Sequence, residues 1–101
     1  MGNIQIKINP SLASMASARQ FNNWLTLDYQ IDGKGTIGEL LTRLTREHPD
    51  FTRVIFDPET GKISDEINVV HNQNLLISSE AGSVKLKEGD SILLLPIYTG
   101  G

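Results

Sequence analysis

Gly33-Lys34-Gly35-Thr36 has the residue types of a phosphate-cradling loop. Such a loop needs Ser or Thr directly after its lysine and a glycine five positions before its second glycine. Gly35 and Asp28 stand in those places, so the segment reads as a strand-to-helix turn. His48 and His71 are the two histidines, and the chain has no cysteine. Zinc takes three or four ligands, and no thiolate is there to complete a set; no metal site is expected. His48 instead suits the C-terminal end of a helix, where the dipole favours it. Asp57, Glu59, Asp65 and Glu66 lack the alternating spacing of a calcium loop and read as solvated hairpin residues. There is no Gly-x-Ser-x-Gly elbow and no serine in an activating context. Nothing favours a catalytic constellation within the chain, which is expected not to be an enzyme.

The remaining chemical feature is Gly100-Gly101, after an apolar run and a proline. At an average glycine usage of about 7%, two given positions are both glycine in roughly one chain in two hundred. A free C-terminal carboxyl titrates near 3.3 to 3.7, so at neutral pH it is an anionic oxygen nucleophile. Two residues without Cβ can thread a narrow channel and let the backbone approach a bound nucleotide. Four residues beyond Ile97, fully extended, reach roughly 13 Å from the body. The chemistry implied is that of a chain which is itself a substrate, presented to other enzymes.

An arm of this kind needs a body to carry it. Ile4-Gln5-Ile6-Lys7-Ile8 alternates strictly and predicts a strand ending at Pro10. Residues 11–24 are rich in Ser, Ala and Asn, with Phe21 and Trp24 as the large anchors; they read as a long connection with at most one helical turn. Leu25, Leu27, Tyr29 and Ile31 alternate as a second strand. Thr36 and Glu39 form a capping box, and Ile37, Leu40, Leu41 and Leu44 make one helical stripe. Pro49 stops that helix near Glu47 or His48. Phe51 to Asp57 is expected as a short strand, Asp57-Pro58-Glu59-Thr60-Gly61 as a hairpin loop, and Lys62 to Ser64 as its return strand. A second hairpin joins Ile67–Val70 to Leu75–Ile77, residues 78–88 form a loop, and Gly89-Asp90 turns into a last strand over Ser91–Leu95. The expected class is α+β, one helix on a mixed sheet, with Ile4, Ile6, Leu40, Leu41 and Leu44 in the core. The last strand is apolar at consecutive positions. Ile92 and Leu94 can lie beneath the helix, which leaves Leu93 and Leu95 for the other face. That face either docks on a partner together with Ile97 and Tyr98, or is covered by residues 10–24 through Phe21 and Trp24.

Composition narrows the partners. The 101 residues carry a formal charge of −3, which argues against nucleic acid and suits basic rims on other proteins. The longest apolar run, Ile92 through Ile97 including Pro96, falls far short of the roughly 20 residues that cross a bilayer. No signal-like segment follows Met1, and Ile6 stands where a myristoylation motif wants Ser or Thr. A cytoplasmic location and a single domain over residues 1–101, with a flexible tail at 97–101, are expected.

Several segments together carry a resemblance. Thr36-Ile37-Gly38-Glu39-Leu40-Leu41 opens the helix, and an Asn-containing turn follows Ile67-Asn68-Val69-Val70. Leu86-Lys87-Glu88-Gly89-Asp90-Ser91-Ile92-Leu93-Leu94-Leu95-Pro96 then runs on into Gly100-Gly101. This pattern resembles the MoaD/ThiS family of β-grasp, ubiquitin-like sulfur carriers over nearly the whole chain. The fuller segments at 10–24 and 57–61 are similar to the longer members that serve cysteine biosynthesis. Ile97-Tyr98 stands where molybdopterin-type carriers often have a second proline and a small residue.

The resemblance implies that an adenylating enzyme of the ubiquitin-activating type uses ATP to activate the Gly101 carboxylate. A sulfur donor then displaces AMP to leave a thiocarboxylate, and a client enzyme of a molybdopterin, thiamin or cysteine pathway takes the sulfur. It further implies that the chain can serve as the small subunit of a sulfur-transfer complex and binds no cofactor of its own. Gly100 gives the arm access, while Leu93, Leu95, Ile97 and Tyr98 meet the partners. The alternative is a ubiquitin-like modifier joined through Gly101 to a lysine, since both chemistries share the acyl-adenylate.

Overall fold

A computed structural model of the chain describes residues 2–17, 22–31 and 35–97. Strand β1 (Gly2–Ile8) buries Ile4, Ile6 and Ile8 completely, as its alternation requires. It pairs antiparallel with β2 (Leu25–Ile31), placing Ile4 opposite Tyr29, Ile6 opposite Leu27 and Ile8 opposite Leu25 on one face. On its other side β1 runs parallel to the last strand, β5 (Ser91–Pro96), with Ile6 opposite Ile92 and Ile8 opposite Leu94. Strands β3 (Ile67–His71) and β4 (Asn74–Leu76) form the expected hairpin, turning through Asn72 and Gln73 at positive φ of 49° and 74°. β3 pairs antiparallel with β5, so the sheet order is β2-β1-β5-β3-β4 and the last strand is central.

The main helix lies where its stripe predicts. Helix α2 (Ile37–Glu47) buries Ile37, Leu40, Leu41 and Leu44, and Thr36 Oγ1 accepts from the Glu39 N–H at 3.2 Å. Two further N–H groups of its first turn would otherwise lack partners. Ile37 N–H donates to Val84 O at 2.9 Å and Gly38 N–H to Gly82 O at 3.0 Å. That close approach needs a glycine, because a Cβ at position 38 would lie 2.8 Å from the Gly82 carbonyl oxygen. Across the sheet edge, Arg43 stands 5.0 Å from the Tyr29 ring centroid and donates to Gln30 O at 2.9 Å. Burial pushes the Tyr29 phenol up, and nearby Glu47 adds to that.

Three segments depart from expectation. Residues 10–17 are a two-turn helix, α1 (Pro10–Ser17), not a connection. Pro10 takes the first helical position, and Asn9 Oδ1 accepts from the Ser11 N–H at 2.8 Å. Only Leu12 and Ala13 enter the core from it, which is why its periodicity is faint. Residues 49–55 are helical, not extended. A 3₁₀ turn (Pro49–Phe51) leads into α3 (Thr52–Ile55), and Phe51 and Ile55, four apart, are both buried. The return strand reduces to one bridge between Phe56 and Ile63. The turn between them forms as expected, with Gly61 at φ 73° and Asp57 N–H donating to Lys62 O at 2.8 Å. Within residues 78–88 a single-turn helix, α4 (Ser78–Ala81), interrupts the loop.

Helix α1 packs on α3, the 3₁₀ turn and β5, and Leu12 and Ala13 join Ile8, Ile55 and Leu94 in one buried cluster. The helices therefore share one face of the sheet. Residues 10–17 do not cover the other face, and Trp24 is 44% exposed, so the lid is not formed by these residues; Phe21 lies outside the described residues. No helix among the described residues is long and apolar enough to cross a membrane.

Candidate functional site

The site starts from β5, which hydrogen-bonds to neighbours on both sides and points toward the sequence's last residues. Ile92 and Leu94 are fully buried beneath the helices, while Leu93 and Leu95 face the other way and are half-buried. The ladder persists past the strand, since Ile97 N–H donates to Glu66 O at 3.0 Å. Ile97 is 40% exposed. Tyr98, Gly100 and Gly101 lie outside the described residues.

The register explains what surrounds Leu93. Thr26, Lys7, Leu93, Val70 and Leu75 are successive partners across the five strands and form one row on the helix-free face. The row is polar over β2 and β1, where Asn3, Gln5, Asp28 and Gln30 share the face, and apolar over β5, β3 and β4. Leu75 and Ile77 are each 66% exposed. The patch thus comprises Leu93, Leu95, Val70, Leu75 and Ile77, beside the strand that leads to the tail. Contiguous apolar surface of this kind marks interaction sites. Sequence reasoning found the β5 pair and missed Val70, Leu75 and Ile77. Consecutive apolar residues at Val69-Val70 and Leu75-Leu76-Ile77 carry the same signal.

The other end of β5 holds a polar cluster that sequence reasoning did not assemble. Asp90 is 8% exposed and accepts from His71 Nε2, Asn72 Nδ2 and the Lys87 N–H, each at 2.8 Å. Asn72 is held in turn, its Oδ1 accepting from Ser91 N–H at 2.9 Å and its own N–H donating to Ser91 O at 3.0 Å. Burial alone would push the Asp90 carboxyl up; the hydrogen bonds from Asn72, His71 and Lys87 outweigh it and hold the group below its ordinary value. Six strand residues at about 3.3 Å each put roughly 20 Å between this cluster and Ile97. It clamps the hairpin turn to the start of β5 and does not reach the tail.

The other sequence candidates scatter. His48 caps α2, its ring 6.2 Å edge-on from that of Phe51. Asp57 Oδ1 accepts from the Glu59 N–H within its own turn at 2.8 Å. Lys34 lies outside the described residues.

Comparison with known proteins agrees with this geometry. The model of the ThiS family matches residues 15–101. Small archaeal modifier protein 1 of Haloferax volcanii is 30% identical over 95 residues, covering 94% of this chain and 97% of that protein. The crystal structure of SAMP1 from Haloferax volcanii superposes with a TM-score of 0.76 at 29% identity, covering 99% of this chain and all of that one. The ubiquitin-like β-grasp fold expected above is therefore present. A chain in the crystal structure of the Amycolatopsis orientalis BexX/CysO complex has the same fold, with a TM-score of 0.66 at 20% identity over 97% of this chain and 99% of that one.

Proposed function

Because the chain belongs to the ThiS family of small ubiquitin-like carrier proteins, we propose that it is a sulfur carrier whose reacting group is the Gly101 carboxylate. In the first step a carboxylate oxygen attacks the α-phosphorus of ATP held by an adenylating partner, and pyrophosphate leaves. A sulfur nucleophile then adds to the acyl carbon, AMP departs with the electron pair of the broken C–O bond, and a thiocarboxylate remains. A client enzyme takes the sulfur and returns the carboxylate. These steps ask this chain for a carboxylate, a narrow arm and a rigid launch point, and for no acid, base or metal of its own.

The observation that carries the reading is the central placement of β5, the strand leading to Gly100-Gly101. Bonded on both sides, it fixes where the arm starts to within the play of the fold. The apolar patch around Leu93 and Leu95, with Ile97 at its end, gives partners a grip beside that start. The net charge of −3 favours encounter with basic rims.

Intact-mass analysis of the chain from its native host tests the proposal. A fraction carrying sulfur in place of one oxygen at the C-terminus is expected; its absence under sulfur-replete growth overturns it. A second reading is favoured by the relative named a modifier: Gly101 joined by an isopeptide bond to lysines of other proteins. A ladder of high-mass adducts that disappears when Gly101 is deleted would establish it.

A further inference from the structure

Beyond the reacting carboxylate, we propose that Tyr98 is an anchor, its ring seated in an apolar groove at the end of β5, so that the free arm is Thr99-Gly100-Gly101 alone. The groove, of about 390 Å³, lies between α1, α3 and the turn before β3. Leu12, Met15, Val54 and Pro96 line it, with Arg53 and Glu66 among its polar members. Its apolar surface is not otherwise used, and Met15 is 69% exposed on it.

The occupant follows from register. Side chains alternate along a strand, so Ile92, Leu94 and Pro96 form one row on the helix side, while Leu93, Leu95 and Ile97 form the other. Ile92 and Leu94 are fully buried, and Pro96 is in the groove wall. The Ile97 N–H bond to Glu66 O carries the ladder past Pro96, so the next side chain in the helix-side row is that of Tyr98. Two residues of strand advance it about 6.6 Å beyond Pro96, toward α1 and Met15. A tyrosine suits such a groove because its ring is apolar and its hydroxyl wants a polar partner. Arg53 can donate to that oxygen and Glu66 can accept its proton. Thioether–aromatic contact accounts for a methionine left open at this place. This assigns Tyr98 to the face opposite Leu93 and Leu95, away from the partner patch. Seating it shortens the arm from roughly 13 Å to roughly 10 Å and fixes its direction.

The anchoring stands on register and groove alone; its consequence for activation rests on the sulfur-carrier reading. The test is NMR of the full chain, following the Met15 methyl resonance. A seated ring shifts that methyl upfield and gives cross-relaxation between ring and methyl protons. Tyr98→Ala should abolish both, and Tyr98→Phe should keep them. An unchanged Met15 methyl in Tyr98→Ala overturns the proposal, as does a shift that grows with protein concentration, which would make a second copy the occupant. A methyl perturbed only when an adenylating enzyme is added would assign the groove to that partner and likewise overturn it. Wild-type chain that shows the ring contact yet no ATP–pyrophosphate exchange with its cognate enzyme would contradict the carrier reading and leave the anchor standing.

Discussion

At its Asp90 end, β5 is tied to the β3–β4 turn by a carboxylate with three donors and by a paired exchange between Asn72 and Ser91. At its Ile97 end, the bond to Glu66 is a single backbone contact, and the flanking surface is apolar and open. The same strand is therefore clamped at one end and lightly held at the other. A chain that must present its last residues to other proteins needs this asymmetry. Hydrogen bonds on the arm would have to be broken each time it entered a partner's cleft, whereas bonds at the far end steady the launch point without that cost. The clamp and the tail are separate devices sharing one strand, and substitutions should separate them.

The largest effect is expected midway, where both ends depend on the same core. Leu94 is fully buried, and Leu94→Ala should cost on the order of 2–5 kcal/mol through lost transfer energy and the cavity left behind. Denaturant unfolding checks this, and a midpoint that hardly moved would show that β5 is not the centre of the core. Next is the clamp. Asp90→Ala leaves His71, Asn72 and the Lys87 N–H without their acceptor, a loss of about 2–3 kcal/mol, while ATP–pyrophosphate exchange should persist wherever the variant is folded. The clamp also has a pH signature. Because the Asp90 carboxyl lies below its ordinary value, its contribution is complete above the ordinary carboxylate pKa of about 3.9 and is lost as pH falls through the lowered folded value. The stability gap between wild type and Asp90→Asn should therefore be constant near neutrality and close in acid; a gap that widened in acid would reverse the assignment. The smallest effect belongs to the patch. Leu93→Asp should weaken binding of the activating enzyme about tenfold, some 1.4 kcal/mol, with the fold retained. Undiminished binding by Leu93→Asp and by Leu75→Asp would move the docking surface elsewhere.

The parts of the molecule legible in the sequence are those where one period repeats long enough to exclude the other. Ile4, Ile6 and Ile8 alternate, and Ile37, Leu40, Leu41 and Leu44 follow a helical stripe, so β1 and α2 were readable to within a residue or two. Phe51, Arg53 and Ile55 fit an alternating strand as well as Phe51 and Ile55 fit a helical turn; Pro49 at the start of the 3₁₀ turn decided for the helix. α1 was hidden because a helix that buries only Leu12 and Ala13 looks like a polar connection. The clamp was out of reach, since His71 and Asp90 are 19 residues apart and each alone reads as a turn residue. Of the candidate site, Leu93 and Leu95 were visible from consecutive apolar positions. Val70 and Leu75 joined them only through strand register, which local pattern does not specify.

The claim on which the account turns is that Gly101 supplies the reacting carboxylate at the lightly held end. Its most direct test is ATP–pyrophosphate exchange by the cognate adenylating enzyme, comparing the full chain with one lacking Gly101 and confirming by thermal unfolding that both are equally folded. Exchange should be supported by the full chain and lost in the shortened one; equal exchange with both would contradict the account.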